Sequence, residues 1–128
     1  MADLGISSRS LDIKRYERDK LVALSEILSR EIRILEVEAE KGRHAKSLDQ
    51  QRQVMSKLAV SADGPLATKK LERDKTSALV HIQSLEIRLL ELDEEIGRCQ
   101  EDIVAQHKQI DFLNFNIKQQ QELIAKGQ

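Results

Sequence analysis

The chain has 128 residues, of which 34% are charged and only 2% aromatic, with 21 basic against 22 acidic side chains. Aromatic residues dominate the energetics of most compact cores, so this inventory argues against a globular enzyme. The near-neutral, interspersed charge sets up no global field toward nucleic acid. What remains is rich in Leu, Ile, Glu, Lys, Arg, Gln and Ala, the bias of coiled coils and long helices, and predicts an all-α chain.

Taken in chain order, residues 1–10 read as a flexible N-terminus, and Ser10 can cap a helix that begins at Leu11, with Asp12 favourably placed in its first turn. Nothing interrupts that first long helix strongly before residue 60. Its roughly 50 residues would span about 75 Å at the α-helical rise. Residues 61–65, Ser61-Ala62-Asp63-Gly64-Pro65, read as a loop, and Pro65 suits a first helical turn, where its missing N–H would be unsatisfied anyway. A second long helix is expected over 66–126.

The two helices share sequence. Residues 11–43 reappear at 66–98, shifted by 55 positions, and 18 of the 33 aligned pairs are identical. Leu11, Leu24, Ile27, Ile32 and Leu35, for example, match Leu66, Leu79, Ile82, Ile87 and Leu90. Unrelated segments would share about two residues over such a length. The repeat is an internal duplication whose structural unit is a helix.

Read in sevens, the second helix carries Ile82, Leu89, Ile96, Ile103, Ile110, Ile117 and Ile124 at position a. Leu85, Leu92, Cys99, Gln106, Leu113 and Gln120 fall at position d. A 3.5-residue spacing held over so many turns predicts supercoiling about a partner helix. Carried back by the repeat, the frame places Ile13, Lys20, Ile27, Ile34, Lys41, Leu48 and Met55 at a, and Tyr16, Ala23, Arg30, Val37, His44, Gln51 and Leu58 at d. This first seam is poorer, so its helix should depend on a neighbour. Leu21, Leu24, Leu28 and Leu35, with Leu79 and Leu90, widen the apolar face as in a bundle of more than two helices.

A short connection folds two long helices most naturally into an antiparallel coiled-coil hairpin. Ile at a with Leu at d equally suits an extended parallel coiled-coil dimer, which stands as the alternative. Cys99, the single cysteine, cannot form an intramolecular disulfide. At a d position it is either a small core residue or, in the parallel alternative, an interchain bridge.

Chemistry-bearing motifs are missing from the sequence. It contains no phosphate loop, nucleophile elbow or paired metal-ligand motif, and His44, His81, His107 and Cys99 have no chelating spacing. Neither an enzyme nor a cofactor nor a metal site is expected. No run of 18 apolar residues occurs and no basic segment with an apolar core follows Met1, so no membrane span is expected and a cytoplasmic location is the default. Phe112 and Phe115 flank the second seam and are expected to widen its contacts. Gln106 and Gln120 at d either fix register or oligomer state or, Gln120 especially, mark a frayed or hydrated end of the coil. The repeat openings concentrate Lys14, Arg15, Arg18, Lys69, Lys70, Arg73 and Lys75 near helix starts, where cations are mildly unfavourable. They are candidate contacts for an acidic partner such as a tubulin tail, or else a solvated face paired locally with Glu and Asp.

The stretch Asp93-Glu94-Glu95-Ile96-Gly97-Arg98, followed by Ile110-Asp111-Phe112-Leu113-Asn114-Phe115-Asn116-Ile117, resembles the coiled-coil stalk of chromokinesins and ciliary-class kinesins. That resemblance implies a stalk segment of a microtubule motor, which dimerises or folds back. No motor activity is carried over, because the nucleotide-binding loop is missing. The function expected is a non-enzymatic coiled-coil assembly module in a homo-oligomer or helical complex, cytoskeleton-associated, with direct microtubule binding through the basic helix starts as the alternative.

Overall fold

Long uninterrupted runs of good helix formers, broken by the chain's one proline, produce two helices and no strand among the described residues. The computed structural model describes residues 2–58 and 63–128, and the side chains from Gly5 onward. Helix α1 runs Ala2–Lys57 and helix α2 runs Gly64–Ala125. They pack against each other as an antiparallel all-α hairpin. Contacts of Arg9 with Gln120, Arg30 with Asp102, Lys41 with Asp93 and Arg52 with Glu86 fix the direction, since the second residue number falls as the first rises. The extended parallel arrangement is therefore not the one this chain adopts.

The helix limits differ from the sequence expectation at both ends of α1. Residues 2–10 are helical, and Ser10 lies exposed inside α1 without capping it. The reason is Arg9, one heptad before Tyr16, whose Nε donates to the Gln128 carbonyl at 2.9 Å and whose Nη1 donates to Gln120 Oε1 at 2.9 Å. A cation at the C-terminal end of α2 also sits where the helix dipole favours it. At the other end α1 closes at Lys57, with Leu58 N–H bonded to the Met55 carbonyl in a tightened last turn. Residues 59–62, which include the expected end of the helix at 60 and loop positions Ser61 and Ala62, lie outside the described residues.

Gly64 opens α2 with φ of +86°, a backbone that costs a side chain dearly, and Pro65 follows in the first turn. The end of α2 is a Schellman closure. Gln128 N–H bonds the Leu123 carbonyl and Gly127 N–H the Ile124 carbonyl, both at 2.9 Å, with Gly127 at φ of +74°.

The chain divides into two compact units, one of residues 1–33 with 98–128 and one of residues 34–97. In the first, Ala23 and Ile27 of α1 and Cys99, Leu113 and Ile117 of α2 are buried. In the second, Val37 and Leu48 of α1 and Ala78, Ile82 and Leu92 of α2 are buried. Every one of these residues stands at an a or d position. The core of each unit is thus the seam between the two helices, each fully buried aliphatic side chain contributing about 1.5–3 kcal/mol before the entropy of ordering it.

Candidate functional site

The long aliphatic series of α2 faces α1 of the same chain. Ile82, Leu92, Cys99, Leu113 and Ile117 are buried, and Leu85, Leu89, Ile96, Ile103, Ile110 and Ile124 are half-buried. Cys99 is a free thiol within that seam. On α1 the same frame puts Lys20, Arg30, Lys41 and His44 among the half-buried positions. Arg30 and Lys41 carry their charged ends to acids of α2 while their stems cover the seam. Arg30 reaches Asp102 at 3.4 Å, and Lys41 Nζ donates to Asp93. Acids at seam-edge positions of α2 therefore answer cations at seam positions of α1, a pairing legible in the heptad frame once the antiparallel direction is known.

In an antiparallel pair, e positions meet e positions along one edge and g positions meet g positions along the other. Arg52 and Glu86, both e, are bonded at 3.0 Å, and Glu40 and Arg88, both g, at 2.9 Å. Arg88 Nη2 and Nε donate to Glu40 Oε1, and His44 Nε2 lies 3.3 Å from the same oxygen. The Arg88 guanidinium holds the Glu40 carboxyl below the usual carboxylate range, with His44 assisting, and Glu40 in turn raises Arg88. Gln120, expected at a frayed end, instead accepts the Arg9 bond.

Most cations of the basic openings are paired locally, and two of the pairs recur in both copies. Lys14 pairs with Glu17 and Lys69 with Glu72, each at 3.2 Å. Arg18 pairs with Asp19 at 3.0 Å and Arg73 with Asp74 at 3.2 Å, while Arg15 lies 3.5 Å from Asp12. Lys70 is exposed, whereas Lys75 is half-buried at a seam position and does not project outward like the others. Such exposed short-range pairs contribute little to stability, but they leave no concentrated positive field.

Apolar residues outside the seam form the second feature. Phe112 and Phe115, expected to widen the seam, are both exposed; at positions c and f they turn away from α1. Among the identical apolar pairs of the duplication, Ala23 with Ala78 and Ile27 with Ile82 are buried. Four others are not: Leu11 with Leu66, Leu24 with Leu79, Ile32 with Ile87, and Leu35 with Leu90 are exposed in both copies. In two of the pairs the exposures nearly coincide, at 57% and 56% for Ile32 and Ile87 and 66% and 65% for Leu35 and Leu90. The duplicated helix therefore carries two apolar sets, one for the seam and one outside it.

Among the described residues no group of His, Cys, Asp and Glu is arranged to hold a metal ion, and no helix is long and apolar enough to cross a membrane. No family model matches the chain, and no curated protein or solved structure matches it either.

Proposed function

We propose that this chain is a non-enzymatic coiled-coil assembly module, a stalk or scaffold segment of a cytoskeletal or motor complex. The observation that carries the reading is the outer apolar set kept in both copies of the duplication. Leucine and isoleucine at these exposed positions contribute little to the hairpin, and an exposed apolar set repeated in this way suits contact with further helices. Direct filament binding through Lys14, Arg15, Arg18, Lys69, Lys70, Arg73 and Lys75 draws less support, because most of these cations already have an acidic neighbour within the same helix.

The test uses the outer residues Ile87 and Leu90 of α2, which lie three apart on one ridge and are exposed. Sedimentation of the intact chain should show an oligomer, and the Ile87→Asp, Leu90→Asp double variant should sediment as a monomer with unchanged helicity. A monomeric wild-type chain, or an oligomer indifferent to the double variant, overturns the assembly reading.

A further inference from the structure

One line of α1 lies beside the seam and is apolar without being covered. Glu17, Leu21, Leu24, Leu28 and Glu31 follow one another at alternating steps of four and three, so they share one side of the helix. Leu21, Leu24 and Leu28 are 66%, 44% and 50% exposed. Next to them, Ile110 of α2 and Lys20 complete an open groove of about 370 Å³, lined by Glu17, Lys20, Leu21, Leu24 and Ile110.

The duplication supplies an internal control for this stripe. The matching line in α2 reads Glu72, Thr76, Leu79, Gln83 and Glu86. Both acids and the central leucine are shared, but Leu21 and Leu28 stand where α2 has Thr76 and Gln83. The hairpin is thus built without leucine at those two places in α2, and stability of the helix pair does not account for them in α1. At these two places the copies have diverged: α1 carries leucine outside the seam where α2 carries Thr76 and Gln83.

We propose that this groove seats a helix of a different protein, one whose apolar residues recur at three- and four-residue steps and are flanked by Lys or Arg. The charges choose between this occupant and a second copy of the chain. Glu17 and Glu31 each lie seven residues from Leu24. Two such stripes packed antiparallel about Leu24 set Glu17 of one against Glu31 of the other, and packed parallel they set each glutamate against itself. Both registers juxtapose like charges and are disfavoured. A basic-flanked helix meets the same acids favourably. Glu31 makes no ion pair among the described residues, and Glu17 holds only the exposed Lys14, a pair readily exchanged for a partner's cation.

This inference adds a partner to the assembly reading and is tested at a separate site. The probes are two labelled synthetic three-heptad peptides with Leu at a and d, one with Lys at e and g and its twin with Glu there, titrated against the intact chain by fluorescence anisotropy. The Lys peptide should bind at least about tenfold more tightly than the Glu peptide and weaken with salt. Leu24→Asp should weaken it at least about tenfold at unchanged helicity, as should Leu21→Thr with Leu28→Gln, which writes the α2 residues onto α1. The Ile87→Asp, Leu90→Asp variant should bind it like the wild type. Equal binding of both peptides, or binding of the Lys peptide that survives both stripe variants, overturns the proposal as non-specific attraction. Dissolution of the chain's own oligomer by Leu24→Asp alone overturns it in favour of a second copy, and leaves the assembly reading standing.

Discussion

At the scale of single residues, neighbours on α2 have opposite fates according to which side of the helix they occupy. Leu92 is fully enclosed, whereas Leu90 is 65% exposed. Leu92→Ala should therefore cost about 2–5 kcal/mol of stability through lost transfer energy and the cavity it leaves. Leu90→Ala, in the isolated chain, should stay within about 0.5 kcal/mol of wild type. Urea unfolding followed by circular dichroism checks both, and similar midpoint shifts would mean that the heptad frame is misplaced. The ion pair of Glu40 with Arg88 adds a dependence on acid. Because the folded carboxyl titrates below its unfolded value, its contribution is present above the usual carboxylate range and is lost as pH falls through the lowered folded value. Thermal unfolding at neutral and at strongly acidic pH should accordingly show a smaller acid-induced loss for Glu40→Gln than for the wild type. An equal loss would mean that other carboxylates account for the whole effect.

At the scale of elements, the break between α1 and α2 rests on backbone more than on side chains. Gly64 has φ of +86°, and a side chain placed there would meet no atom within 4 Å. Gly64→Ala should thus destabilise by about 1–2 kcal/mol through conformational strain alone, and Gly64→Asn by less, since Asn tolerates the left-handed region better. Urea midpoints measure both, and an unperturbed alanine variant would show that the turn relaxes freely. Pro65 and Gly64 made this break legible from sequence. The start of α1 was not legible, because Ser10 is a good cap by residue type and the reason the helix extends past it, Arg9 reaching Gln120 and Gln128, joins residues more than a hundred positions apart. The exposure of Phe112 and Phe115 is hidden from sequence for a related reason. Their type suggests burial, yet their heptad positions face away from α1, and position governs burial on a helix that has one partner.

At the scale of the whole molecule, the duplication yields two helices of one ancestry with separate work. The a positions from Ile13 to Met55 and from Ile82 to Ile124, and the d positions beside them, are all buried or half-buried whatever their residue type, so the frame drawn from α2 and carried back by the repeat describes α1 even where it holds Lys20, Arg30, Lys41 and His44. Arg30 and Lys41 are tolerated there because α2 offers Asp102 and Asp93 beside them, and His44 because Glu40 lies one turn away on its own helix. The outer leucines, legible as a widened apolar face, gain their meaning only once burial separates them from the seam. Composition, period and the internal repeat by themselves determined that the chain is all-helical, which residues face a partner and where the break falls, because helix formation and heptad spacing are local properties. Whether that partner was α1 of the same chain or a second chain in parallel was undecided, since Ile at a and Leu at d suit both arrangements. Only the tertiary structure decided it, through e-to-e and g-to-g ion pairs that an antiparallel hairpin alone brings together, and with it which apolar residues remain free for other helices.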